Sequence, residues 1–158
     1  MVNQKSRCSA FDKAVNLLAF KDRTTQEITK RLKENGYSSD EIEETVEKLS
    51  YYGYLNDENY TISYIKDNTS KKGKKLIANE LSHKGIQKDI ISDILSNSEI
   101  DEVSTIRDIM ERRYKDADLN DEKVYRRLVG FFLRRGFSYE NVLKVIKDSD
   151  FSIEEDMI

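Results

Sequence analysis

Apolar residues recur along this chain at the spacing of helices that bury one face, and glycines or polar residues separate the runs. The first run has apolar residues at i, i+3, i+4 and i+7, namely Phe11, Ala14, Val15 and Leu18. Thr24 followed by Glu27 is a capping box, which predicts the start of a second helix. Gly36 is expected to end that helix, because glycine readily adopts the left-handed conformation of a helix C-terminus. Ser38 then predicts the start of a third helix.

The same plan recurs around Gly85 and Gly136. Apolar residues stand at matching offsets from each glycine, at eight and four residues before it and at one, six and ten residues after it. These positions are Ile28, Leu32, Tyr37, Ile42 and Val46; Ile77, Leu81, Ile86, Ile91 and Leu95; and Leu128, Phe132, Phe137, Val142 and Ile146. The pattern predicts an all-α fold, an elongated tandem array of three three-helix repeats whose neighbours complete each other's cores.

The repeats divide the chain into five predicted parts. They are a flexible N-terminus at residues 1–8, repeats at residues 9–52, 53–97 and 98–148, and an acidic C-terminal tail at residues 149–158. Three tyrosines, Tyr51, Tyr52 and Tyr54, are expected to fill the junction between the first two repeats rather than to stack on bases. Asn56 or Asp57 is expected to cap the helix that follows.

Composition agrees with a helical protein. The 158 residues are 37% hydrophobic and 36% charged, with no proline and six glycines. Cys8 is the only cysteine, so no disulfide forms within one chain and a reducing, cytoplasmic location is expected. No apolar run is long enough to span a bilayer, so no membrane partner is expected.

Charge is distributed unevenly, although the net charge of −3 disfavours a simple basic nucleic-acid binder. A lysine cluster lies at a predicted helix start, where positive charge opposes the helix dipole and Gly73 lowers helix stability. An arginine series follows in the third repeat, and i,i+4 ion pairs or capping would also explain it. The predicted partner- and DNA-binding residues are Lys71, Lys72, Gly73, Lys74, Lys75, Arg126, Arg127 and Arg134. A solvated helix start is the alternative explanation of the lysines, and the two unfavourable features of this helix start count against it.

Catalytic and metal-binding patterns are missing from the sequence. His83 is the only histidine, which excludes a multi-histidine metal site within one chain. Gly73-Lys74 lacks the other residues of a phosphate-binding loop. Asp57 and Glu58 are interpreted as residues that cap and complement a helix start. We therefore predict no catalytic residue, no cofactor and no metal, and thus a protein that is not an enzyme.

Three phrases carry a resemblance to a known family. They are Arg23-Thr-Thr-Gln-Glu-Ile28, Gly53-Tyr-Leu-Asn-Asp-Glu-Asn-Tyr60 and Asn79-Glu-Leu-Ser-His-Lys-Gly-Ile86. With them the chain resembles the RecX family, the bacterial regulators of the RecA recombinase. It departs from the family pattern at Asn56, where a second acidic residue is usual, and at Tyr60-Thr61, where Phe-Ala is usual. The third repeat matches less well than the first two.

The resemblance implies a non-enzymatic regulator that binds the RecA–DNA filament. Such a protein would modulate, and mainly inhibit, the ATPase, strand-exchange and coprotease activities of RecA in recombination, DNA repair and the SOS response. Weak binding to single- and double-stranded DNA and a monomeric state are expected. Two alternatives remain: a stand-alone helical DNA-binding protein with helix-turn-helix-like units, and a helical scaffold for an unrelated protein.

Overall fold

A computed structural model describes the backbone of residues 8–155 and the side chains of residues 8–149. Residues 1–7 of the predicted N-terminal segment and residues 156–158 of the predicted acidic tail lie outside the described residues. Between residues 8 and 155 the chain forms helices and no strand. The helices are α1 (Ala10–Phe20), α2 (Thr25–Glu34), α3 (Ser39–Tyr51), α4 (Asp57–Asn68), α5 (Lys74–His83), α6 (Lys88–Asn97), α7 (Glu102–Arg113), α8 (Glu122–Arg134) and α9 (Tyr139–Glu155). The predicted all-α class is confirmed.

Helix starts follow the capping residues that the sequence indicates. The hydroxyl oxygens of Thr24 and Ser38 each accept the backbone N–H of the residue three positions later, at 3.2 Å. Ser138 does the same at the start of α9, also at 3.2 Å. Asn56, rather than Asp57, caps α4, because its side-chain oxygen accepts the backbone N–H of Asn59 at 3.0 Å.

Helix ends follow the recurring glycines. Gly36, Gly85 and Gly136 have φ angles of 84°, 86° and 86°, in the left-handed region that favours glycine. The residue after each glycine donates its backbone N–H to the carbonyl five residues earlier, at 3.2, 3.1 and 3.1 Å respectively. The second helix of every repeat therefore ends in the same way.

Apolar residues at the repeat offsets form the core. Thirteen of the fifteen predicted positions are buried, and Val46 and Leu95 are partly buried. The three three-helix repeats are confirmed as the plan of the fold. Within residues 8–155, no helix combines the length and the apolar character that a transmembrane span requires.

The residues group into two compact units. The first unit contains the chain up to Ser63 together with Leu81–Ile91, and the second contains Tyr64–Glu80 together with the chain from Ser92. Residues 53–97 thus contribute to both units. The first unit has a core of Ala10, Ala14, Leu17, Ile28, Leu32, Tyr37, Ile42, Leu49 and Leu55. The second has a core of Ile106, Ile109, Met110, Leu128, Val129, Phe132, Phe137, Val142, Val145 and Ile146.

The expectation that the tyrosines after α3 fill a junction is wrong. Tyr51, Tyr52 and Tyr54 are 85%, 63% and 59% exposed. Helix α3 buries the face that carries Leu49, and Tyr51 lies two residues further, on the opposite side of the helix. The turn at the end of α3 then brings Leu55 into the core in place of a tyrosine.

We expect Leu81→Ala to lower the free energy of unfolding by about 2–5 kcal/mol, because Leu81 is fully buried and its loss leaves a cavity. Urea denaturation followed by far-UV circular dichroism would measure this loss. Leu133→Ala is the matched control, since Leu133 is 43% exposed and should change stability by no more than about 0.5 kcal/mol. Equal losses in the two variants would contradict the assigned core.

Candidate nucleic-acid interface

The Lys71–Lys75 segment leads into α5 and lies against the turn that follows α8. The backbone N–H of Gly73 donates to the carbonyl of Arg135 at 2.8 Å, and that of Lys75 donates to the carbonyl of Gly136 at 3.3 Å. These bonds lie within the second unit. The structure therefore brings the predicted lysine cluster next to the end of the helix that carries Arg126, Arg127 and Arg134.

Close backbone packing explains Gly73. A Cβ atom added at Gly73 would overlap the backbone of Gly136 and Phe137, and one added at Gly136 would overlap Leu76. Gly73 is buried, in contrast to the three exposed lysines around it. Gly73 precedes Lys74, the first residue of α5, so the expected loss of helix stability does not arise, and close packing inside the second unit explains the glycine.

The carboxylate of Glu102 completes this contact. Glu102 is the first residue of α7 and is only 6% exposed. One carboxylate oxygen accepts the backbone N–H of Lys74 at 2.9 Å. The other accepts the backbone N–H of Ser138 at 3.2 Å and the side-chain amide N–H of Asn141 at 3.1 Å. Glu102 thereby places negative charge at the starts of α5 and α9, where the helix dipole favours it.

We call the contact formed by Gly73, Lys74, Glu102, Arg135 and Gly136 the second joint. The sequence alone suggested that no negative charge offsets the helix dipole at the start of α5. The Glu102 carboxylate supplies that charge from within the fold.

An equivalent contact, the first joint, lies within the first unit. One carboxylate oxygen of Asp57 accepts both the backbone N–H and the hydroxyl of Thr25, at 2.9 and 3.1 Å. The hydroxyl of Thr24 donates to the carbonyl of Lys84 at 2.7 Å. Asp57 was interpreted from the sequence as a residue that complements its own helix start. In the structure Asp57 lies in the first turn of α4, and its carboxylate also bonds to the start of α2.

The two joints match residue by residue. Asp57 and Glu102 are the first residues of α4 and α7, and Thr25 and Lys74 are the first residues of α2 and α5. In each joint, an acidic residue that begins the first helix of one repeat accepts the first N–H of the second helix of the preceding repeat. The repeat symmetry therefore includes the polar contacts as well as the core.

Lys84 belongs to the first joint rather than to a solvated surface. Partial burial alone would lower the pKa of its ammonium group, but Tyr60 and then Glu27 interact with the charged form and raise the pKa overall. The Lys84 ammonium lies 3.7 Å from a carboxylate oxygen of Glu27. Because the folded-state pKa is raised, this contribution to stability is present at neutral pH and is lost as pH rises through that pKa.

The predicted lysines are not equivalent. Both carboxylate oxygens of Glu80 lie within 2.9 Å of the Lys72 ammonium, and Glu80 also accepts a hydrogen bond from the hydroxyl of Tyr64. Lys72 is therefore held in a half-buried ion pair. Lys71, Lys74 and Lys75 are exposed.

The predicted arginines lie along α8. Arg126 pairs with Glu122 at 2.6 Å, in an exposed i,i+4 ion pair of the kind that the sequence allowed. Arg127 and Arg134 are exposed. Their side chains add to the positive charge on the outer side of the helix.

Two further arginines at this end of α8 were not among the predicted site residues. The guanidinium groups of Arg113 and Arg135 lie 5.3 and 5.0 Å from the ring centroid of Phe131, at cation–π distance. The repeat alignment pairs Arg135 with Lys84, since each directly precedes its glycine. That correspondence is the sequence signal by which Arg135 could have been found.

Metal-binding geometry is not found in the part of the chain that the structure describes. No group of three or more His, Cys, Asp or Glu side chains there could hold a metal ion. The exposed lysines and arginines described above lie beside a joint of helices.

Family comparisons match all three repeats. Models of the first, second and third three-helix domains of RecX match residues 10–49, 56–95 and 99–146. The chain belongs to the RecX family. Regulatory protein RecX of Trichlorobacter lovleyi is 32% identical over 142 residues, which cover 85% of this chain and 90% of that protein.

Other RecX proteins give the same result. Regulatory protein RecX of Clostridium perfringens strain 13 is 33% identical over 129 residues, which cover 79% of this chain. The match spans 61% of the length of that relative. The crystal structure of RecX from Lactobacillus salivarius superimposes with a TM-score of 0.77 at 27% identity, covering 90% of this chain and 95% of that one.

In this RecX-family chain, we expect Gly73→Ala to lower the free energy of unfolding by about 1–3 kcal/mol, because the new Cβ has no room beside Gly136. Thermal and urea denaturation would measure the loss. Ser70→Ala, at an exposed position three residues earlier, should leave stability within about 0.5 kcal/mol of the parent. A stable Gly73→Ala variant would contradict the close approach of the two turns.

We expect Glu102→Ala to cost about 1–3 kcal/mol, because it leaves the part-buried hydrogen bonds from the N–H groups of Lys74 and Ser138 without their acceptor. Glu102→Gln should cost less, since its carbonyl oxygen can still accept a hydrogen bond. The exposed Glu99 provides the control Glu99→Ala. If the Glu99 and Glu102 variants unfold at the same urea concentration, Glu102 does not hold the joint.

Proposed function

We propose that this RecX-family protein is a regulator that binds the RecA–DNA filament and restrains the ATPase, strand-exchange and coprotease activities of RecA. The observation that carries the proposal is the match of all three repeats to RecX domains. Its curated relatives bear the name regulatory protein RecX. The protein acts without chemistry of its own, as a cytoplasmic monomer that needs no cofactor.

The exposed cations of the second unit are the proposed contact with DNA. Lys71, Lys74 and Lys75 are exposed beside the turn that follows Arg134. Ammonium and guanidinium groups bind phosphates and release the counterions that surround DNA. Lys72 contributes less directly, because its ammonium is already paired with Glu80.

Binding to DNA alone should be weak. The whole chain has a net charge of −3, so only a local group of cations attracts a polyanion. A filament offers protein and phosphates together, and simultaneous contacts can raise the overall affinity well above that of either contact. This reasoning favours a regulator of the filament over a stand-alone DNA-binding protein.

The stand-alone DNA-binding protein remains the second candidate, because the same exposed cations would serve it. It would bind DNA in the absence of RecA with a steep dependence on salt. The two candidates differ in one measurement, the rate of ATP hydrolysis by RecA on single-stranded DNA. A regulator slows that rate at protein concentrations too low to coat the free DNA.

We expect the triple variant Lys71→Glu, Lys74→Glu, Lys75→Glu to need roughly tenfold more protein for half-maximal inhibition of RecA ATPase, because three phosphate contacts are replaced by repulsion. A matched triple variant at the exposed residues Lys30, Lys33 and Lys147 makes the same change in net charge elsewhere. Far-UV circular dichroism would check that both variants keep their helices.

Two results would contradict parts of the proposal. If the parent protein in excess leaves the RecA ATPase rate unchanged, the regulatory function is wrong. If the parent inhibits and the Lys71, Lys74 and Lys75 variant inhibits equally well, the lysines are a solvated helix start.

A further inference from the structure

Gly130 occupies the interior of α8, a place where glycine is unfavourable. The helix has 13 residues, from Glu122 to Arg134, so Gly130 is four residues from its end. Glycine is less favourable in a helix interior than any residue except proline. Its φ angle is not in the positive range that Gly36, Gly53, Gly85 and Gly136 adopt. The backbone conformation therefore does not require a glycine here.

Packing within the described chain does not require this glycine either. A Cβ added at Gly130 would meet only the guanidinium group of Arg134, with its nearest nitrogen at 3.1 Å. Arg134 is exposed, and the far end of its side chain can move aside. This surrounding differs from that of Gly73, where the added atom would overlap backbone.

The side of α8 that carries Gly130 is cationic and faces solvent. At about 100° per residue, Lys123, Arg127 and Arg134 lie within about 40° of one another around the helix. Gly130 lies about 20° beyond Lys123 around the helix, and between Arg127 and Arg134 along its axis. All three cations are exposed. The buried residues Leu128, Val129 and Phe132 occupy the other side. Acidic residues on the helix are confined to its start, where Glu122 is paired with Arg126.

We infer that this α8 face, formed by Lys123, Arg127, Gly130 and Arg134, is a docking surface for the phosphodiester backbone of a nucleic acid. Without a Cβ at Gly130, the Arg134 guanidinium lies close against the helix surface. Guanidinium groups bind phosphate oxygens with two parallel hydrogen bonds, which suits Arg127 and Arg134 to one phosphodiester backbone that runs along this face. The acidic side chains of a protein partner reach out on flexible stems and would not need a guanidinium held this close to the helix.

This inference rests on the proposed function. The sequence already predicts Arg127 and Arg134 as binding residues, and the inference adds Lys123 and Gly130 on the same face of α8. It places phosphate contacts on α8 as well as at the start of α5, and it explains why a glycine stands at position 130. It also predicts an unusual combination of effects. Gly130→Ala should improve the helix and weaken binding.

The test uses the full chain and a fluorescein-labelled oligothymidylate at low salt, without RecA. We expect Gly130→Ala to raise the midpoint of thermal unfolding and to weaken oligonucleotide binding by about threefold to tenfold. Arg127→Gln, which keeps a good helix former, should weaken binding and reduce the slope of log affinity against log salt by about one. Lys144→Gln, at an exposed position on α9, should bind like the parent.

Three outcomes would overturn the inference. The first is a Gly130→Ala protein that is more stable and binds the oligonucleotide as the parent does. The second is an Arg127→Gln protein with unchanged affinity and salt slope, which decides the matter even if Gly130→Ala fails to fold. The third is displacement of the oligonucleotide by polyglutamate as effectively as by unlabelled DNA, which would indicate an acidic protein partner instead.

The RecA ATPase assay separates this inference from the proposed function. If the parent does not inhibit RecA but the Gly130→Ala and Arg127→Gln proteins lose DNA affinity as expected, the docking surface stands and the regulatory function fails. If the parent inhibits RecA and the two variants bind DNA normally, the regulatory function stands and the docking surface fails.

Discussion

The rest of the structure depends on one hydrogen bond between neighbouring repeats. A carboxylate at the start of one repeat accepts it from the start of the second helix in the repeat before. The first N–H groups of any helix have no partner within the helix, and burying them without an acceptor is costly. Glu102 accepts from Lys74, and Asp57 accepts from Thr25. Each bond supplies an acceptor for a helix start that the turn of the next repeat covers. At the start of α5, the bond from Lys74 to Glu102 accompanies the close approach of Gly73 to the turn at Gly136.

The basic residues divide into exposed ones and ones paired within the fold. Glu102 offsets the helix dipole at the start of α5 from inside the unit, and Lys71, Lys74 and Lys75 are exposed beside it. Lys72 and Lys84, in contrast, are held by acidic and tyrosine side chains and contribute to the fold. A count of lysines therefore overestimates the surface available to a polyanion. The group of exposed lysines is smaller than the total number of lysines, and the exposed cations of α8 add to it.

Features that depend on local spacing were predictable from the sequence. The capping roles of Thr24 and Ser38 and the left-handed glycine turns follow from a few neighbouring residues, and the core follows from offsets shared by three repeats. Contacts between distant residues were not predictable. The sequence placed Asp57 at its own helix start, and only the fold brings it to Thr25. The exposure of Tyr51 was missed because aromatic content indicated burial, whereas its position on α3 decides otherwise. The domain boundaries and the binding residues remain predictions.

The acceptor at each joint has a consequence for the exchange of amide hydrogens with solvent. Backbone N–H groups in the first turn of a helix normally exchange quickly, because water is their only partner. The N–H groups of Thr25 and Lys74 are instead bonded to carboxylates that belong to the following repeat. Slow exchange at these two amides is therefore a signal that the neighbouring repeat is in place. The exchange rate of one amide, measured by nuclear magnetic resonance, thus reports on each joint without any substitution.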